Sequence, residues 1–230
     1  MICLGFSNSA YNIIIVALEK PPKCEYPRNF SKQMAKKRNP ANNKQVSGQV
    51  RIIAGMHRGR KLAVLNSDGL RPTTDRVKET LFNWLMMDVR DAICLDCYAG
   101  SGSLGFEALS RGARSVDFIE MDKAAGQQLK TNINLLKANN AKVHQGDCLS
   151  ILPALAQKYE LVFIDPPFRK GLAQRTIDTL QQADLLADQA LVYVEVESEQ
   201  TTLEVPQSWH LVKDKNAGQV SYRLYRLNCT

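Results

Sequence analysis

The chain lacks any apolar run long enough to cross a bilayer. Its longest uninterrupted early run, Ile13 to Leu18, is six residues, whereas a span needs about 20 and a secretory leader core about 7–15. No membrane partner is expected, and the expected location is cytoplasmic. Histidine is scarce, with His57, His144 and His210 standing singly. Cys94-Leu95-Asp96-Cys97 is formally a C-x-x-C, but no second pair follows at zinc spacing, so no metal is expected. Cys3, Cys24, Cys148 and Cys229 form no disulfide framework, which suits a reducing compartment. Internal repeats are absent, and nothing demands an assembly larger than a monomer.

What is present is ordinary for a globular protein: 230 residues, 44% hydrophobic and 23% charged. That is room for one α/β core with an appendage. The net charge of +7 is unevenly placed. Residues 1–79 hold 15 Lys and Arg against 5 Asp and Glu, and residues 80–230 hold 15 against 18. A basic first third on a mildly acidic body points to a polyanion gripped at one end, against a solvated tail as the plain alternative.

Three regions follow. Residues 1–49 turn rich in Pro, Lys and Asn after Leu18 and are expected to be a disordered basic tail, with Met34 as an alternative start. Residues 50–90 read as a hairpin and a helix: two short strands around Gly55 and Gly59, then Arg71-Pro72-Thr73-Thr74 leading into a helix. Val77, Leu81, Phe82, Trp84 and Leu85 give that helix an apolar face. From residue 91 onward strands and helices alternate. The expected strands are Ala92–Asp96, Ser115–Glu120, Lys142–Gln145, Leu161–Asp165, Ala190–Val196, His210–Lys213 and Val220–Leu227. The expected helices are Leu104–Arg111, Lys123–Ala138, Leu149–Lys158 and Leu172–Ala183. Unbroken apolar strands such as Leu161-Val-Phe-Ile164 are covered on both faces. The pattern predicts a doubly wound, mostly parallel sheet that binds ligands at its carboxyl ends.

Gly100, Gly102 and Gly105 satisfy G-x-G-x-x-G after the first core strand, and Glu120 closes the next. Glycines admit a ligand close to the backbone, and Glu120 can accept from both hydroxyls of a ribose. An adenosine-containing ligand follows. Asp96, four residues before Gly100, suits an α-ammonium group better than a pyrophosphate, which favours S-adenosylmethionine over NAD. Asp147 after the third strand can accept from an adenine amino group, or simply cap the helix that follows. Ala99, Ser101, Met121 and Cys148 adjoin these positions and complete the candidate cofactor set.

Asp165-Pro166-Pro167-Phe168 directly follows an apolar strand. An exocyclic base amine is a weak nucleophile because its lone pair is delocalised into the ring. Acceptors on its two N–H groups, the Asp165 carboxylate and the Pro166 carbonyl, turn that lone pair outward. The proline pair fixes φ and holds the carbonyl in advance, and Phe168 offers a face for base stacking. A strand-ending turn is the bland reading of Asp-Pro; beside the glycine loop and its acids it loses.

With these residues in view, the sequence resembles the class I, Rossmann-like methyltransferases, and closely the RsmD family of 16S ribosomal RNA guanine-N2 methyltransferases. The resemblance runs from about Gln49 to Leu227. It is carried by Arg51-Ile-Ile-Ala-Gly, Arg58-Gly-Arg-Lys-Leu62, Leu70-Arg-Pro-Thr-Thr-Asp-Arg-Val-Lys-Glu-Thr-Leu-Phe-Asn-Trp84, Leu95–Gly105, Phe118–Asp122, Phe163–Phe168 and Ala217–Tyr225. It implies a seven-stranded sheet with the last strand antiparallel, and methylation of a guanine N2 amine in small-subunit ribosomal RNA, free or in an assembly intermediate. By match of position, Asp96, Gly100, Gly102, Glu120 and Asp147 would bind S-adenosylmethionine, and Asp165 to Phe168 the guanine. Arg51, Arg58, Arg60, Lys61, Arg71 and Arg76 around the hairpin and helix are the candidate phosphate contacts. Adenine-N6 or cytosine-N4 methylation, an NAD-dependent oxidoreductase and a non-catalytic RNA-binding factor are the alternatives.

Overall fold

A computed structural model describes residues 46–65, 75–199 and 203–228. Most of the expected basic tail, Met34 included, and the candidate Arg71 lie outside the described residues. Strands β1 (Val46–Arg51) and β2 (Lys61–Leu65) pair antiparallel and form the hairpin. Its first strand begins at Val46, inside the stretch read from sequence as tail. Pairing with β2 satisfies backbone groups that composition alone leaves to water, and Val50 and Ile52 at its inner end are buried. Helix α1 (Asp75–Trp84) follows and buries Leu81 and Phe82.

The main sheet uses β3 (Ile93–Asp96), β4 (Ser115–Glu120), β5 (Ala141–Gln145), β6 (Tyr159–Ile164), β7 (Leu186–Glu197), β8 (Trp209–Ala217) and β9 (Val220–Leu227). Their order is β5-β4-β3-β6-β7-β9-β8. Neighbours from β5 to β7 are parallel, while β9 lies antiparallel between β7 and β8. Order reverses between β3 and β6, so the crevice for a ligand opens at the centre of the sheet.

Helices α2 (Ser103–Ser110), α3 (Lys123–Leu136), α4 (Cys148–Ile151) and α5 (Leu172–Gln182) connect the strands. The expected helix over Leu149–Lys158 is cut short. After α4 one 3-10 turn, Leu152–Ala154, carries Pro153, whose nitrogen has no hydrogen to continue an α-helical ladder. Asp122 caps α3, its carboxylate accepting from Ala124 N and Ala125 N.

Alternation along the strands divides the core into two layers. Cys94, Phe118, Phe163 and Tyr193 face a layer shared with Phe82 of α1 and Phe106 of α2. Leu95, Val162, Ile164 and Val194 face the opposite layer, against Ile177 and Leu180 of α5. The hairpin rides on the first layer. Asn132 Nδ2 of α3 donates to Ala63 O at 3.0 Å, and buried Lys78 of α1 donates to Arg51 O at 2.7 Å.

Candidate active site

The loop after β3 is stitched to both neighbouring strands. Cys97 N donates to Phe163 O and Ala99 N to Ile119 O, each at 3.0 Å. Gly102 takes a left-handed φ of 75° as it opens α2. Gly105 lets α2 lie against β4, since a Cβ there would stand 2.2 Å from Phe118 Cε1. The glycine spacing therefore has a packing cause as well as a ligand-binding one.

Asp96 ends β3 fully buried, and its Oδ2 accepts from Gly105 N at 3.1 Å. Burial pushes its carboxyl up to about 7; backbone donors from Gly105 and Tyr98 hold it down, and the charges of Asp165 and Glu120 push it further up. A cation arriving beside it would restore the charged form, so the group fits an α-ammonium. Glu120 is already engaged by the loop: Oε2 accepts from Gly100 N and Oε1 from Asp122 N, both at 2.7 Å. It thereby fixes the glycine loop and presents a half-buried carboxylate at the next strand tip, where a ribose diol would lie. Asp147 performs the capping role foreseen for it, Oδ2 accepting from Ser150 N at 3.0 Å and Ser150 Oγ at 2.8 Å. Ala99 and Cys148 are buried, while Met121 is 73% exposed. Ser101 borders a shallow cleft with Gly100, Leu65 and Gln128.

Asp165 follows β6 and is half-buried; Pro166 is buried, Pro167 exposed and Phe168 half-buried. The turn is tied to β7 by Arg169 N, which donates to the Glu197 carboxylate. Because Asp96 pairs with Phe163 across β3 and β6, the glycine loop and this tetrapeptide stand at adjacent strand tips. One more acid, absent from the candidates that the sequence pattern singles out, stands here. Glu195 on β7 is buried, accepts from Tyr193 Oη at 2.7 Å, and feels the charge of Asp165. A single Glu in an apolar strand carries no local signal, so only the register of β7 against β6 reveals it.

The basic candidates are not all brought to this crevice. Arg76, in the first turn of α1, lies near enough to Tyr222 for its charge to act on that hydroxyl, and Tyr222 pairs with Glu195 across β7 and β9. Arg51 and Lys61 are exposed partners across the hairpin. Arg58 and Arg60 belong to the loop that docks on the far end of α2, where Met56 N donates to Ser110 O at 2.7 Å. Arg60 Nη1 donates to Leu135 O at 3.3 Å, at the end of α3. Both helices begin at the strand tips and run back, so Arg58 and Arg60 sit toward the amino ends of the strands. The loop is clamped by Glu107 of α2, fully buried, which accepts from Ile53 N at 2.8 Å, Ala54 N at 3.0 Å and Arg111 Nε at 2.8 Å.

A glycine loop, acids on successive strand tips and a proline-braced turn meet at the switch point of a class I, Rossmann-like methyltransferase fold. The family model described as conserved hypothetical protein 95 matches residues 50–226. Ribosomal RNA small subunit methyltransferase D of Escherichia coli strain K12 is 55% identical over 184 residues, 80% of this chain and 93% of the relative. The protein of the same description from Haemophilus influenzae is 52% identical over 78% of this chain and 94% of its own. The solved yhhF protein of Escherichia coli superposes with a TM-score of 0.75 at 52% identity, covering 80% of this chain and all of that one. SMU.776, a protein solved in complex with SAH, shares the fold alone, at 12% identity and a TM-score of 0.59. The chain belongs to this methyltransferase family, and the oxidoreductase alternative falls with that membership.

Proposed function

We propose that the protein transfers a methyl group from S-adenosylmethionine to the exocyclic N2 amine of a guanine in small-subunit (16S) ribosomal RNA. The adjacency of Asp96, which ends β3, and Asp165, just past the end of β6, supports this reading, because an acid suited to the cofactor's ammonium then stands beside an acceptor suited to the amine. The names of the relatives support the RNA substrate.

When bound, S-adenosylmethionine supplies a sulfonium-activated methyl group. The protein's residues do the rest by placement. Asp96 and Glu120 would hold the two ends of the cofactor, one as counter-charge to its ammonium and one as acceptor for its ribose. The target base, turned out of its stack, lies against Phe168. Asp165 and the Pro166 carbonyl accept from the two N–H groups of the amine and aim its lone pair at the methyl carbon. The ammonium that a methylated amine would carry is acidic, and Asp165, already facing that nitrogen, would take its proton directly or through water. Positioning of this kind supplies about 7–11 kcal/mol of a barrier without a covalent intermediate.

Arg76, Arg51 and Lys61 offer a phosphate track from the crevice along the hairpin, with Arg58 and Arg60 extending it toward the other end of the sheet. The test is labelled-methyl transfer to unmodified small-subunit particles, with product digested to nucleosides. N2-methylguanosine is expected, and N6-methyladenosine or N4-methylcytidine refutes the base. Asp165→Ala should lose at least about 100-fold in kcat and keep S-adenosylhomocysteine binding; an active Asp165→Ala refutes the mechanism.

A further inference from the structure

Glu195 stands in the strand sequence Leu191-Val-Tyr-Val-Glu-Val196, every residue of which is buried, and is itself only 5% exposed. None of the ion pairs among the described residues gives it a Lys, Arg or His partner. Burying a carboxyl in an apolar strand without a cation costs stability, and the packing of β7 does not require one. Its location explains the cost. Ile164 of β6 pairs with Val194 of β7, so Glu195 and Asp165 are the next residues along two adjacent strands. Phe163 and Tyr193 share one core layer, and by alternation Asp165 and Glu195 continue that same face. Tyr193 Oη donates to Glu195 Oε1 at 2.7 Å and fixes the carboxyl.

We propose that Glu195 is a specificity-determining residue that reads the N1–H and O6 edge of the guanine whose N2 amine is held by Asp165 and Pro166. This rests on the reading of the substrate as guanine. Neighbouring strands stand about 4.8 Å apart, which is on the scale of a guanine's Watson–Crick edge, where N2, N1–H and O6 follow in line. A neutral carboxyl matches the last two together, its carbonyl oxygen accepting from N1–H and its hydroxyl donating to O6. Burial first, and then the charge of Asp165, push the Glu195 carboxyl up to about 8 despite the opposing Tyr193 hydrogen bond, and this upward shift favours its protonated form at neutral pH. The Tyr193 bond marks Oε1 as the carbonyl side. Adenine and cytosine carry an acceptor nitrogen beside their amines and fail this match.

The discriminating substrate is an RNA whose mapped target guanine is replaced by 2-aminopurine, which keeps the amine but has an acceptor at N1 and no O6. The wild-type enzyme should favour guanine by roughly 100-fold in kcat/KM, the scale of discrimination by buried hydrogen bonds. Glu195→Gln presents the same acceptor and donor, and should keep that preference and most of the activity. Glu195→Met should lose activity on guanine until the preference falls below about 5-fold, with 2-aminopurine turnover little changed and thermal stability equal or higher. Should the methionine variant not fold, Glu195→Asp, which withdraws the carboxyl by one methylene, carries the same expectation. A full guanine preference in Glu195→Met or Glu195→Asp, or a Glu195→Gln enzyme as indiscriminate as either, overturns the proposal while N2-methylguanosine remains the product. A wild-type product other than N2-methylguanosine overturns the substrate reading and this proposal together.

Discussion

Replacing Glu107 by Ala removes the clamp between the hairpin and the helix that begins at the glycine loop. Its carboxylate is fully buried and receives two backbone N–H groups, from Ile53 and Ala54, together with the Arg111 guanidinium. Truncation leaves both amides without their acceptor, at about 1–3 kcal/mol each. Arg111 keeps a partial partner, since it lies 4.9 Å over the Phe82 ring, but loses its counter-charge. The sum expected is about 3–5 kcal/mol, in line with breaking a buried pair from one side. In urea, with a slope of about 2 kcal/mol per molar, the unfolding midpoint should fall by about 1.5–2.5 M with the slope unchanged. Glu107→Gln, which keeps one acceptor oxygen, should lose about half as much. A midpoint shift in Glu107→Ala below about 0.5 M would refute the view that this carboxylate holds the hairpin.

Other outcomes follow from the same geometry. Gly105→Ala drives a methyl group into Phe118, and should cost about 1–3 kcal/mol while weakening S-adenosylhomocysteine binding in calorimetry, because α2 carries the loop with it. The Glu195 carboxyl is raised from 4.5 to about 8 in the folded state, so the folded protein holds a proton that the unfolded chain gives up between those values. Its contribution is complete below about pH 4.5 and is lost progressively as pH rises toward about 8. Melting curves from pH 5 to 8 should show that decline in the wild type and a flatter profile in Glu195→Gln; equal profiles would contradict it. Arg76→Gln should reduce the log–log salt slope of RNA binding by roughly 0.7, the loss of one phosphate contact on a single strand, and an unchanged slope would remove Arg76 from the interface.

Local chemistry made much of this protein legible in its sequence. Gly102 and Gly105, the acids Asp96 and Glu120 at strand ends, and Asp165 with its two prolines are dictated by turns and strand tips a few residues long, and the structure places them where that pattern puts them. The short α4 was not legible at its true length, because an apolar helical spacing masked the effect of Pro153 on the ladder. Glu107 and Glu195 were invisible for a different reason. Each is a single carboxylate in an apolar segment, and its meaning comes from partners 53, 54 or about 30 positions away along the chain. The sequence alone determined which residues end strands and open helices, since neighbouring φ and ψ preferences decide that. Only the tertiary structure decided which strand tips stand side by side, and hence which buried charges must answer to one another, since that depends on strand order and on burial by distant residues.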